Sequence, residues 1–302
     1  MMGDSFIGDT ARRAIERQLH EILGVAHSLQ GGAPVAGGSI NRAFRASYGN
    51  RPLFIKLNAA IAAPMFAAEA DGLRALRESR TVRAPEPLCH GRDPQSAWLV
   101  LEWIDLSPAG DQAGLGRRLA AMHRTLGNSY GWPSDNFIGA TPQRNQRSDD
   151  WIDFMARHRI GCQVELASRA SHDRSLPRLA GRLVESLPAL FEDYRPVPSL
   201  LHGDLWDGNH GFARDDGAPV VFDPACYFGD RESDLAMMEL FGGFDARVFE
   251  AYHKSWPLHG GYARRRPLYQ LYQVLNHFNL FGGAWLQRAL SLFDTLLRET
   301  GA

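Results

Sequence analysis

Lysine is nearly absent from this chain. Of 302 residues only Lys56 and Lys254 are lysine, so arginine supplies almost all of the positive charge. Cysteine is almost as scarce: Cys89, Cys162 and Cys226 are odd in number and far apart, and none forms a CxxC or a Cys/His pair at metal-ligand spacing. That argues against a disulfide scaffold or a zinc module and fits a reducing compartment. No window holds eighteen consecutive apolar residues, so no membrane-spanning helix is expected. The first residues, MMGDSFIGDTARRAIERQL, carry neither a basic n-region nor a continuous apolar h-region, and do not read as a signal peptide. Excess charge of one sign is missing too. Thirty-three basic residues face 34 acidic ones, with no block of five or more like charges, which disfavours nucleic acid as a partner. There is no fixed-period repeat and no low-complexity tract. A cytoplasmic protein without nucleic-acid or membrane partners is expected, its oligomeric state unread.

What is present is an ordinary globular composition, 44% hydrophobic, enough for one large or two medium domains. Ala11, Ile15, Leu19 and Ile22 recur at helical spacing, with Gly24 placed to end the helix. From Pro34 to Leu57 two short apolar-alternating runs flank the turn signal Tyr48-Gly49-Asn50, which predicts a hairpin and a strand ending near Lys56. Phe66, Leu73 and Leu76 then share one helical face, with Glu69 near the middle of that helix, and strands follow at 87–90 and 97–102. Beyond Asp105 helical stripes dominate: Leu115, Leu119, Met122 and Leu126, then 151–166, then 176–191. Two short strands, 199–202 and 219–222, interrupt them around the turn Asp215-Asp216-Gly217. The pattern predicts an α+β protein of two lobes, β-rich over 1–102 and mainly helical over 103–302.

The segment LLHGDLWDGN, 200–209, puts His202, Asp204, Asp207 and Asn209 behind an apolar approach. Asp204 and Asn209 are five residues apart, and Asp223 closes the run VVFD fourteen residues later. Protein kinases use an Asp in H-R-D-x-x-x-x-N to orient and deprotonate a hydroxyl, while the Asn and a strand-end Asp hold magnesium. Transfer of phosphate from ATP needs hard oxygen ligands and a carboxylate facing the attacking hydroxyl, which acids and amides supply. A metallophosphatase shares only the dipeptides Gly203-Asp204 and Gly208-Asn209-His210, pieces that such enzymes normally carry on separate loops. His202 reads as a histidine bonded within the loop rather than as a base.

If that reading holds, the first hundred residues must supply a glycine turn over the phosphates, a strand lysine and a helix acid. Gly37, Gly38 and Ser39 precede a strand predicted over 40–46, Lys56 sits in LFIKL, and Glu69 follows on the next helix. The segment LVLEWIDL would be the hinge that meets adenine, placing Glu102, Trp103 and Ile104 at the nucleotide. A nucleotide-binding regulatory module without turnover would use the same parts.

HGDLWDGN, FDPACYFGDRESDLAMMELFGGF over 222–244 and GWPSDNFIGATPQRN over 131–145 together resemble the fructosamine kinase (ketosamine-3-kinase) family. The resemblance runs from GGSINRAF to the helical end, and departs from the usual family pattern at Ser233, where Ala is common. It implies a bilobal protein-kinase-like fold and ATP-dependent phosphorylation of a small ketosamine or glycated amine or protein, typically at the sugar 3-hydroxyl. It further implies Asp204 as base, Asn209 and Asp223 as Mg2+ ligands, and Lys56 with Glu69 as the phosphate clamp. Asp234 reads as a tie between the loop and the following helix; Trp206 as a sugar-facing platform or a packing residue; FIGATPQRN and Trp151 as shaping the substrate side. The runner-up acceptor is an aminoglycoside or choline-like alcohol, for which the C-terminal half, with Arg264-Arg265-Arg266, shows no acid-rich signature.

Overall fold

The computed structural model describes residues 7–36, 40–171 and 173–302. These fall into two compact units, one of residues up to Asp111 together with His210–Asp223, the other of Gln112–Asn209 and Pro224–Ala302.

In the first unit, helix α1 (Asp9–Leu23) buries Ala11, Ile15 and Leu19 and ends at Gly24, whose φ of 71° satisfies the left-handed C-terminal turn. Ile22, expected on the same stripe, is 53% exposed, and it is Leu23 that packs against the cluster at this end of the helix. An antiparallel sheet follows in the order β1-β2-β3-β5-β4, built from β1 (Leu29–Val35), β2 (Arg42–Tyr48), β3 (Arg51–Ala59), β4 (Pro87–Arg92) and β5 (Ser96–Glu102). β2 and β3 turn at Gly49, in the register Tyr48 to Arg51. β1 was not foreseen. It reads LQGGAPV, a glycine- and proline-bearing edge strand with little to bury, so it lacks the alternation that betrays a strand.

Alternation in β3 sends Leu53, Ile55 and Leu57 into the cluster against α1. Lys56 therefore points to the other face, with Phe54 and Asn58. Helix α2 (Ala63–Glu78) packs on β4 and β5 and buries Phe66, Ala70, Leu73 and Leu76. Glu69 lies three residues after Phe66, on this same buried stripe. Strand β6 (Leu106–Ser107) pairs with the strand His210–Ala213, which in turn pairs with Pro219–Val221. These pairings draw 210–223 into the first unit.

The second unit begins with helix α3 (Gln112–His123), which buries Leu115, Leu119 and Met122; Leu126 lies past its end and is 55% exposed. Helical residues 151–171 pass through a π-helical stretch, Met155–Gly161. Helices Ser175–Ser186, Glu232–Phe241, Ala246–Ser255, Tyr262–Phe281 and Trp285–Thr300 complete the unit. Two small antiparallel pairs sit among them: Ser199–Leu201 with Tyr227–Gly229, and Asn136–Ile138 with Thr141–Gln143. The core gathers Trp151, Phe154, Leu183, Leu201, Tyr227, Leu268, Tyr272 and Phe293.

Candidate active site

Two groups of predicted residues assemble, one in each unit. In the first, Lys56 Nζ lies 2.7 Å from Glu69 Oε1 and 2.6 Å from Asp223 Oδ1, and 6% of the lysine side chain is exposed. Strand alternation, a helical stripe and a distant strand end bring the three together. Burial works against the Lys56 ammonium, but the Asp223 and Glu69 carboxylates outweigh it and raise its pKa. Burial pushes Glu69 up to about 7, against the pull of Lys56. Asp223 has φ of 58°, a left-handed conformation rare for a side-chain-bearing residue. Strain of this kind persists where the surroundings hold it, and it turns the Asp223 carboxylate onto Lys56. Its side chain remains 44% exposed, so a carboxylate bonded to a buried cation still faces outward.

In the second unit the loop after Leu201 is held from beneath by Asp234. Its Oδ2 accepts the His202 amide at 2.8 Å and its Oδ1 the Gly203 amide at 2.9 Å. His123 Nε2 lies 3.1 Å from Oδ2, and His123 Nδ1 lies 2.7 Å from the Tyr252 hydroxyl. Arg231 donates to that hydroxyl at 3.2 Å and to the carbonyls of Trp256 and Pro257. Burial raises the Asp234 pKa, but the hydrogen bonds it accepts from His123 and the Gly203 amide bring it below its ordinary value. Gly203 has φ of 83°, and a Cβ there would stand 2.1 Å from the Ala225 carbonyl oxygen. Only glycine fits this turn.

On that base the loop presents Asp204. Asn209 Nδ2 donates to the Asp204 carbonyl at 2.8 Å and reaches Asp204 Oδ2 at 3.4 Å, closing the loop across the five-residue spacing. The Asn209 amide nitrogen is thereby committed to Asp204, which leaves its carbonyl oxygen as an available hard donor. His202 is fully buried, and its Nδ1 accepts the Asp204 amide at 3.3 Å, a bond within the loop.

A second buried network supports the residues that follow. Asn136 donates to the Cys226 carbonyl and Gln143 to that of Ala225, while Asn145 donates to Asn136 Oδ1. Arg159, completely buried in the π-helical stretch, donates to Asn145 and to the Arg144 carbonyl and stacks 3.9 Å from the Tyr227 ring. The motif FIGATPQRN and the Asn136 before it therefore reach 225–226 through the amides of Asn136 and Gln143. Trp151 belongs to the core, 3% exposed. Arg264, Arg265 and Arg266 each meet an acid, respectively Glu299, Glu232 and Glu239.

Other predicted residues have different surroundings. Gly37, Gly38 and Ser39 lie outside the described residues. Glu102 is opposite Leu53 on β3 while Lys56 is opposite Leu99, three residues or about 10 Å along the strands. The Glu102 carboxylate accepts the Glu86 amide and lies 3.7 Å from Arg77, and Trp103 donates to Asp105 beneath the Arg45 guanidinium. Ile104 is half-buried. The sequence reading missed His123, Tyr252 and Arg231. His123 alone left a trace: it continues the face of Leu115, Leu119 and Met122, a polar group where apolar ones belong.

The chain has a kinase-like α+β fold, with a buried strand lysine bonded to a helix glutamate in one unit and a loop Asp bridged to an Asn five residues on in the other. The chain belongs to the fructosamine kinase family, whose profile matches residues 11–299, and it is an ATP-dependent kinase. It is 43% identical to a protein of Synechocystis sp. named "Probable ketoamine kinase", covering 95% of this chain and 97% of that one. It is 41% identical to a chloroplastic protein-ribulosamine 3-kinase of Arabidopsis thaliana, over 87% of this chain and 82% of that one. Among solved structures, one from Thermobifida fusca named as a candidate fructosamine-3-kinase superposes with a TM-score of 0.81 at 32% identity, covering 94% and 99% of the two chains.

Proposed function

We propose that this kinase transfers the γ-phosphate of ATP to the 3-hydroxyl of a ketosamine, a fructosyl- or ribulosyl-amine, and so initiates removal of the sugar from the amine. The observation that carries the reading is Lys56, held between Glu69 and Asp223 in a chain of this family. An ammonium kept charged and fixed by two carboxylates is suited to the α/β-phosphates of a nucleotide. Asp204 accepts the proton of the sugar hydroxyl as its oxygen attacks phosphorus. The new O–P bond replaces the bond from the γ-phosphorus to the β,γ-bridging oxygen, and ADP leaves.

Magnesium suits the donor chemistry, because Asp223 and Asn209 offer carboxylate and amide oxygens, the hard ligands this ion takes. These two residues would hold it, and bound there it would neutralise charge on the phosphates. The Asp234 anchor keeps Asp204 in place for the hydroxyl. Gly37, Gly38 and Ser39 would close over the phosphates, and the backbone of Glu102, Trp103 and Ile104 would meet adenine.

Phosphate placed beside the ketone is a leaving group once the sugar enolises toward its amine-bearing carbon. The product then loses phosphate and releases the free amine without further catalysis. The test is ADP release from magnesium-ATP over a panel of ketosamines, aminoglycosides, choline and simple sugars, with phosphorylated sugar and free amine followed by mass spectrometry. Selective turnover of ketosamines is the expected result. Efficient turnover of an aminoglycoside or choline with no phosphorylated ketosamine would overturn it.

A further inference from the structure

Three large aromatic side chains stand out on the surface of the described residues: Trp206 at 40% exposed, Phe241 at 37% and Phe281 at 55%. All three belong to one connected cluster. Trp206 meets Phe241 edge-on with ring centroids 6.5 Å apart, Phe241 lies 4.9 Å from His277, and His277 lies 5.7 Å from Phe281. Trp285 closes the group, 5.8 Å from Phe241 and 4.9 Å from His277.

The backbone explains the convergence. Phe241 and Phe281 are the last residues of their helices, which stop at Gly242 and Gly282, and Trp285 is the first residue of the next helix. Three helix ends therefore present aromatic rings together. The fourth contribution comes from the loop of Asp204. The Trp206 amide donates to the Asp204 carbonyl at 3.2 Å, and the Trp206 ring lies so close over Gly208 that a Cβ there would clash with it.

Rings left partly in water forgo the burial that normally holds aromatic side chains, and a joined group of them marks a surface with a partner. Charge of both signs borders it rather than an acidic cluster: Arg288 lies 5.6 Å over the Trp285 ring and donates to the Leu240 carbonyl. Asp207, next to Trp206, lies against Gly243. An apolar body suits such a face better than a polycation does. In a ketosamine only four bonds separate the 3-hydroxyl oxygen from the amine nitrogen, so with that hydroxyl at Asp204 the nitrogen's substituent begins near the residues adjoining Asp204.

From this continuity we infer that the aromatic face is a specificity subsite, in which Phe241 and Phe281 receive an apolar substituent carried by the substrate's amine. The inference rests on the ketosamine reading above. It assigns to these rings a preference for amines with aromatic or aliphatic bodies over small polar ones.

The experiment compares kcat/KM for the fructosyl adducts of benzylamine and of ethanolamine in the wild type, Phe281→Ala, Phe241→Ala and Phe281→Tyr. In the alanine variants the preference for the benzylamine adduct should fall about fivefold through KM, the order of one lost aromatic contact. Phe281→Tyr, which keeps the ring, should retain the wild-type preference. An unchanged preference in both alanine variants overturns the inference, as does an equal loss for both adducts. If the wild type phosphorylates neither adduct, the ketosamine reading fails first. Phe281 is more than half exposed, so its replacement leaves the packing of the unit in place.

Discussion

His123 and Asp234, 111 residues apart in the chain, meet at 3.1 Å with 0% and 1% of their side chains exposed. Their chemistry extends one bond further out. The Asp234 carboxylate can only accept, so His123 offers it Nε2–H, and the Tyr252 hydroxyl, which accepts from Arg231, has its own hydrogen to give to His123 Nδ1. Long-range proton–nitrogen NMR spectra are expected to show a neutral imidazole protonated at Nε2 in the wild type. In Tyr252→Phe the hydroxyl is gone and Nδ1 loses its donor. There kcat should drop about tenfold while KM for ATP holds, and Arg231 keeps its bonds to Trp256 and Pro257. A Nδ1-protonated ring in the wild type would contradict this account.

Asp204→Asn keeps the size of the side chain and removes the proposed proton acceptor. Its kcat should fall by at least about a thousandfold, with nucleotide binding measured calorimetrically close to wild type. Asp223→Asn should differ in kind. Both rate and magnesium dependence should suffer, read as a rightward shift of the magnesium titration.

The Glu69 carboxyl carries a signature of pH. Burial raises it from an ordinary 4.5 to about 7, the Lys56 ammonium opposing the shift. Between these values the folded protein holds a proton that the unfolded chain has lost, so this group's contribution to stability is full below 4.5 and declines as pH rises to about 7. Glu69→Gln has no such carboxyl. Its melting temperature relative to wild type should rise by a few degrees across this window and level off above it. Parallel curves for the two proteins would show that Glu69 is ionised throughout.

Two glycines with the same backbone sign separate crowding from strain. At Gly203 an added methyl would meet the Ala225 carbonyl oxygen at 2.1 Å, whereas at Gly217, φ 69°, nothing lies within 4 Å. Gly217→Ala should cost only the left-handed penalty, about 1 kcal/mol. Gly203→Ala should cost about 3 kcal/mol, since overpacking adds to that penalty, and should depress kcat as the loop shifts. Urea denaturation of both variants measures the difference.

What the sequence disclosed follows from how far each signal reaches along the chain. Ala11, Ile15 and Leu19 announced α1 because helical periodicity is local, and the Asp204 to Asn209 spacing announced the loop for the same reason. Lys56 stood out through the rarity of lysine, yet its bond to Asp223 spans 167 residues and has no local trace. Arg264-Arg265-Arg266 looked like a basic run, although each is paired with an acid at least 27 residues away. Tyr252 and Arg231 were silent, since a buried hydroxyl and guanidinium read as ordinary helix residues until their partners are placed. β1 was silent for the opposite reason, having almost no apolar face to display.

The excursion of 210–223 into the first unit bears on how this protein can be recombined. Chain passes between the units at three places, after Asp111, after Asn209 and after Asp223. A fragment ending at Asp111 would leave Leu106 and Ser107 without their strand partners and Gly110 without the Phe212 ring that packs on it. It would also leave Lys56 with one carboxylate in place of two. A chimera that exchanges the lysine-bearing unit between relatives must therefore transplant two stretches of gene, the second only fourteen codons long and ending on Asp223. A single crossover after Asp111 or after Asn209 would produce a hybrid in which one parent's lysine meets the other parent's aspartate.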